Sequence, residues 1–326
     1  MKHRASSRLF VFCMILTLSG SRVAAQEATE GSIVKIEAYS FPSFQEAVES
    51  TDIELYAQRE DYEQAVGDPD YELLIVTYQS DGLPVRCYLY QSKGALDSQP
   101  ESAQARPTVV FNRGSYVRGD IAAELVTLFH RLAQRGFAVL APLYRGSDGA
   151  PGRDEMGGAD LNDLLNVVPL AQSLASVDAG HLFLYGESRG GMMVLQALRE
   201  AFPARAAAVF GTFSDLQALV EGDPESYLAM ARGIWPDFAD RREEIIRRRS
   251  AVQWAEKIEV PLMILHGGDD QSIPPNQALQ LAEKLDSLGK SFELVIYAGD
   301  NHVLSRHRVQ RDQRVAEWFH EHMAPR

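Results

Sequence analysis

From residue 70 onward the chain alternates short apolar runs with amphipathic stretches. Eight runs are strand-like. Tyr71–Gln79 and Pro84–Tyr90 flank Asp81-Gly82, a hairpin turn signal. Thr108–Asn112, Phe137–Ala141, His181–Tyr185, Ala206–Phe210, Pro261–His266 and Phe292–Tyr297 follow, short and mostly apolar, with helical patterns between them. Strands apolar on both faces and alternating with helices predict a mostly parallel sheet covered on both sides, an α/β fold.

The helices are legible from their apolar spacing. Asp120 is placed to cap a helix whose Ile121, Leu125, Leu128, Phe129 and Leu132 share one face and which Gly136 ends. Asp160 to Ser173 reads as a second helix, with Pro169 predicting a kink. A third follows Ser188, a fourth runs from Pro275 to Leu288, and a last one from Arg308 to His322. Between the sixth and seventh strands, Gly211 to Glu259 is too long for a simple crossover. This insertion holds Trp235-Pro236 and a run, Arg241 to Arg249, in which Glu243–Arg247 and Glu244–Arg248 are spaced for helical ion pairs. A solvated face is the plain expectation for it; a lid over the strand ends is the sharper one. Ser92 to Arg106 reads as a surface loop. Ile33 to Pro69 either packs on the sheet domain or overhangs its mouth.

The first 25 residues are expected to lie outside the fold. Lys2, Arg4 and Arg8 precede a ten-residue apolar run, Leu9 to Leu18, and Val23-Ala24-Ala25 offers small residues for cleavage before Gln26. That is the layout of a secretory signal peptide, and the apolar run is too short to span a bilayer. The expected organisation is therefore signal peptide 1–25, an N-terminal extension 26–69, and a catalytic domain 70–326 carrying the insertion 211–259. The expected destination is periplasmic or extracellular, with no stable membrane insertion after cleavage.

Cleavage removes Lys2, Arg4, Arg8 and Arg22 and no acidic residue, so the formal net charge of −13 falls by four, to −17. Such a chain repels nucleic acid and anionic membrane surfaces. Of the two cysteines, Cys13 lies in the leader, which leaves Cys87 alone and no intrachain disulfide. The mature protein must be held by its core.

The most informative motif is Gly186-Glu187-Ser188-Arg189-Gly190-Gly191, set between the fifth strand and the third helix. A serine on a sharp strand-to-helix turn points its hydroxyl outward, and small neighbours permit the bend. The following helix aims its free N–H groups at the same spot. A serine nucleophile needs a base and the base an orienter, both from strand-end loops on the same side of the sheet. The seventh strand ends in His266-Gly267-Gly268-Asp269-Asp270 and the eighth in Tyr297-Ala298-Gly299-Asp300-Asn301-His302. Ser188, then an aspartate, then His302 is the chain order of an α/β-hydrolase triad. His302 is the expected base and Asp270 the orienter, with Asp269 the alternative; His266 is read as structural. The backbone N–H of Arg189 is one expected oxyanion donor. The loop Asn112-Arg113-Gly114-Ser115-Tyr116 is expected to supply the other, from Arg113 or Gly114. The Arg113 and Arg189 side chains are open to two readings: surface ion pairs, or attraction of a carboxylate-bearing substrate. His307, His320 and His322 lack the i, i+4 spacing of a helical metal site, so no metal or other cofactor is expected.

Together these motifs resemble the catalytic domain of the prolyl oligopeptidase family of serine peptidases. The matching pieces are Phe111-Asn112-Arg113-Gly114, Tyr144-Arg145-Gly146-Ser147, GESRGG at 186–191, HGGDDQSIP at 266–274 and YAGDNH at 297–302. The family's HGxxDxxV(P) pattern places its acid on Asp270, and its GxxH pattern places its base on His302. The resemblance covers roughly residues 70 to 322, the catalytic domain only, and the stretch before it is too short for the propeller that family peptidases carry. Glu187 before the serine is closer to carboxylesterases. The expectation is an exported serine hydrolase that cleaves a small ester or short peptide through an acyl-enzyme. A carboxylesterase acting on small acyl esters, or a non-catalytic binding protein on the same fold, are the alternatives.

Overall fold

The computed structural model describes residues 29–96, 105–115 and 121–324. The predicted signal peptide, the Asp120 cap, Tyr116 and most of the loop before Arg106 lie outside these residues. The chain begins with β1 (Ile33–Ala38) and three short helices, α1 (Phe44–Ser50), α2 (Ile53–Tyr56) and α3 (Arg59–Gly67). A hairpin follows, β2 (Tyr71–Ser80) and β3 (Leu83–Ser92), turning at Asp81-Gly82 as expected, with both residues at positive φ. Then come β4 (Arg106–Asn112), α4 (Ile121–Ala133), β5 (Ala138–Pro142), α5 (Leu161–Leu165), α6 (Val167–Ser173), β6 (Val177–Glu187) and α7 (Arg189–Arg199). The second half holds β7 (Ala204–Phe210), α8 (Leu216–Gly222), α9 (Pro224–Ile234), α10 (Phe238–Arg248), β8 (Leu262–Gly267), α11 (Asn276–Ser287), β9 (Phe292–Tyr297) and α12 (Arg308–Glu321).

These strands form one sheet in the order β1-β2-β3-β5-β4-β6-β7-β8-β9. The β1–β2, β2–β3 and β3–β5 pairs are antiparallel and the rest parallel. This is the α/β-hydrolase arrangement, with nine strands among the described residues rather than the eight expected. The ninth is β1, from the segment read as an extension. Val34, Lys35 and Ile36 are all exposed, so this edge strand buries little apolar surface and is held by backbone pairing to β2.

The central strands explain why the sheet is buried on both sides. On β6, Leu182 and Leu184 face one core, while Phe183 and Tyr185 face the other. On β7, Ala207 and Val209 divide from Ala208 and Phe210 in the same way. Each large side chain removed from water stabilises the fold by about 1.5–3 kcal/mol. One face is covered by α5, α6, α7, α11 and the insertion helices, the other by α1 to α4 and α12. The N-terminal helices thus pack on the sheet domain: the ring of Tyr62 on α3 and Ile53 on α2 are both fully buried.

Two expectations are corrected in detail. The helix over 160–173 is two helices, broken at Asn166, so Pro169 falls in the first turn of α6, where its missing N–H costs little. In α10 the ion pairs are carried by Arg241, to Glu244 at 2.8 Å and Asp237 at 2.7 Å, rather than by the Glu243–Arg247 and Glu244–Arg248 pairs expected. Arg241 itself has non-helical dihedrals (φ −118, ψ 21), which mark a kink in α10.

Candidate active site

The turn from β6 into α7 is as tight as the motif predicts. Ser188 has φ 52 and ψ −120, a conformation that side-chain-bearing residues avoid and that marks stored strain. The glycines permit it by close approach: a Cβ on Gly190 would sit 2.0 Å from the Asn112 carbonyl oxygen, and one on Gly186 would sit 2.5 Å from that of Gly190. The elbow is pinned to the next strand. The Ser188 N–H donates to Phe210 O at 2.9 Å, and the Thr212 hydroxyl donates to Ser188 O at 2.8 Å.

His302 comes to the same place from the far edge of the sheet. A Cβ on Gly211, directly after β7, would lie 3.2 Å from both Cε1 and Nδ1 of the His302 ring. The serine backbone bonds Phe210 and the imidazole lies against Gly211, so both flank the C-terminal end of β7. His302 Nδ1 donates to Asp270 Oδ2 at 2.7 Å. Asp269, by contrast, is exposed, and its hydrogen bonds are made by its backbone, the N–H to Asp300 O and the carbonyl from Gln271 Nε2. Of the two candidate orienters, Asp270 is the one on the histidine.

Asp270 is fixed on every side. Its Oδ1 accepts from the N–H groups of Ser272 and Ile273, both at 2.9 Å. The fully buried His266 lies 3.1 Å from Oδ2 through Nε2, which also donates to Ile273 O. Burial opposes the Asp270 charge, but the hydrogen bonds from His266 and His302 outweigh it and hold the carboxyl well below the usual carboxylate range. For His302, burial favours the neutral ring, yet the bond to Asp270, the charge of Asp270 and that of Glu187 together raise its pKa above the ordinary 6.5. His266 is buried against the acid and tied to the 270–273 turn, a place not foreseen from the sequence; the His-x3-Asp spacing was the available signal.

The oxyanion residues divide. Arg189 heads α7 directly after the serine, and a Cβ on Gly114 would come within 3.8 Å of Ser188 Cβ, so the Gly114 loop does overlie the elbow. The side chains behave otherwise than either expectation. Arg189 is 1% exposed, bonds Asp154 at 2.7 Å and Asp160 at 2.6 Å, and lies over the Tyr144 ring. Arg113 is also buried and donates to Ser147 Oγ and Leu143 O. They form a buried charged layer beneath the elbow, neither surface pairs nor cations open to a substrate. Tyr144, at φ 66 and fully buried, joins that layer to the loop after β4 by donating to Asn112 Oδ1 at 2.7 Å.

The insertion reaches the acid loop. Tyr227 of α9 donates to Ser272 O at 3.3 Å. A cavity of about 390 Å³ opens there, lined by Leu219, Asp223, Tyr227, Gln271, Ser272 and Pro274 among others. The other described histidines are engaged elsewhere: His130 with Asp68, His181 with Asp178, His307 with Asp300, His320 with Arg135 O, and His322 with Trp318 O.

The sequence profile of the prolyl oligopeptidase family matches residues 125–326. Among curated proteins, the chain is 28% identical over 234 residues to the uncharacterized peptidase YtmA of Bacillus subtilis, covering 71% of this chain and 86% of that one. It is 24% identical over 249 residues to acylamino-acid-releasing enzyme 1 of rice (Oryza sativa subsp. japonica), covering 69% of this chain but 31% of the rice enzyme. In fold it resembles a puromycin-hydrolyzing peptidase of Mycobacterium tuberculosis, with a TM-score of 0.62 at 20% identity, covering 79% of this chain and 45% of that one. An acylaminoacyl peptidase of Pyrococcus horikoshii gives a TM-score of 0.63 at 20% identity over 79% and 42% of the two chains. The chain therefore spans most of YtmA but less than half of these larger peptidases. The profile covers more than half of its residues, and so the chain belongs to the prolyl oligopeptidase family and is a serine-peptidase hydrolase.

Proposed function

We propose that this chain is an exported serine peptidase that cleaves short peptides through an acyl-enzyme on Ser188. The observation that carries the reading is the strained serine and the Asp270-bound imidazole meeting at one strand end. Because Nδ1 of His302 faces Asp270, Nε2 is left to take the proton from Ser188 as its Oγ attacks the scissile carbonyl. The oxyanion draws on the N–H of Arg189 and on the Gly114 loop. His302 then gives its proton to the leaving amine, and water, activated by the same imidazole, releases the acid. Export rests on the leader, with cleavage before Gln26.

The substrate class follows the relatives named as acylamino-acid-releasing enzymes and acylaminoacyl peptidases. N-acylated peptides, free-amino peptidyl amides and acyl esters assayed side by side test it. Cleavage of the N-acylated peptides is the expected result; turnover of esters alone would turn the reading to a carboxylesterase. The rate also carries a pH signature. His302 must be neutral to act as base, and its pKa is raised, so kcat/KM is expected to fall on acidification from a limb above pH 6.5. A profile flat down to pH 4 would contradict that base.

A further inference from the structure

The N-terminal helices reach into this constellation. The hydroxyl of Tyr56, the last residue of α2, donates to Glu187 Oε1 at 2.9 Å, a contact between residues 131 positions apart. α2 is anchored for it, since Ile53 is fully buried and the Asp52 N–H donates to Glu124 of α4 at 2.9 Å. Glu187 directly precedes the nucleophile and is 3% exposed. A Cβ on Gly114 would lie 3.6 Å from Glu187 Oε1 and 3.8 Å from Ser188 Cβ, so the carboxylate sits beside the serine, under the oxyanion loop.

The groups facing this carboxylate come from several elements. Tyr56 arrives from α2, with Glu124 of α4 behind it; His302 comes from the loop after β9; Arg311 and Asp312 come from α12. Arg311 is largely committed elsewhere, donating to Asp312 Oδ1 and Val303 O and lying over the Phe210 ring. Burial raises the Glu187 pKa above the ordinary carboxylate value, and the Arg311 and His302 charges and the Tyr56 hydrogen bond oppose that rise without cancelling it. His302 in turn faces Asp270 and Glu187, and Asp270 faces His266 and Tyr227. Placing a carboxylate this deep costs free energy that a neutral side chain would not cost.

We propose that Tyr56 and Glu187 form a positioning pair for the reaction: the phenol fixes the carboxylate beside His302, where its charge stabilises the imidazolium formed as Ser188 attacks. Asp270 orients the ring, and Glu187, next to Ser188 in the chain, adds a second negative charge that acts on it. The N-terminal helices are then part of the catalytic apparatus. This rests on the reading of His302 as the base.

The test is a titration of His302 by NMR in the full chain with ring-labelled histidine, the signal assigned by its loss in His302→Gln. The acid limb of kcat/KM is measured alongside. In Glu187→Gln the acid constant of His302 is expected to rise about tenfold, and in Tyr56→Phe about threefold, because a carboxylate without its donor holds its charge less well. The rate limb is expected to move by the same amounts. A His302 midpoint unchanged in both variants, with the rate limb still following it, would overturn the pair. A rate limb that ignores His302 in the wild-type protein would instead overturn the base assignment. Tyr56→Phe removes a single oxygen and carries the test alone if Glu187→Gln does not fold.

Discussion

Replacing Ser188 by alanine is expected to lower kcat for peptide cleavage about 10⁶-fold with little change in thermal stability. The size of the loss follows from what the hydroxyl does. Without it no acyl-enzyme forms, and only the oxyanion donors and substrate binding remain to assist direct attack by water. Stability is spared because alanine keeps the Cβ and both backbone contacts of the elbow, the N–H to Phe210 O and the carbonyl to the Thr212 hydroxyl. Hydrolysis of a peptidyl amide, followed with circular dichroism on the same preparation, checks both halves. Residual activity within tenfold of wild type would remove Ser188 from the mechanism.

Changing Asp270 to asparagine is expected to cost about 10⁴ in kcat. Oδ2 accepts the Nδ1–H of His302, which fixes the tautomer with Nε2 free for the serine proton. An amide can present N–H₂ there, which favours the wrong tautomer and removes the charge that balances the imidazolium. The His302 pKa should fall with it, since Asp270 is the main influence raising it. Asp270 also ties the 270–273 turn through two N–H groups and His266, so the melting temperature belongs in the same experiment. Asp269→Asn, at an exposed position off the histidine, is expected to stay close to wild type. A larger loss at 269 than at 270 would reassign the orienter.

The elbow was legible because β6 is apolar on both faces and the helix after it is amphipathic, so the motif could only sit on a strand-to-helix turn. The order of serine, aspartate and histidine added the topology. Strand-end position alone left Asp269 and Asp270 both open, since adjacent residues in a turn point different ways; the HGxxDxxV(P) resemblance favoured Asp270, and the backbone decides which meets the ring. β1 was missed because it is an edge strand held by backbone pairing, and its Val34 and Ile36 stand exposed rather than marking a core face. Arg113 and Arg189 were misread because charge says surface until partners are known. Their burial depends on Asp154, Asp160, Ser147 and Tyr144 arriving from another part of the chain. The Tyr56–Glu187 contact is the extreme case, since no local pattern links α2 to the nucleophile elbow.

The central claim is that one serine, activated by His302, is the nucleophile. It is tested most directly by treating the purified protein with a fluorophosphonate and mapping the adduct by mass spectrometry. A single adduct is predicted, on the peptide containing Ser188, forming more slowly as the pH falls below the His302 titration and absent from Ser188→Ala. An unlabelled wild-type protein, or an adduct at another serine that persists in Ser188→Ala, would contradict it.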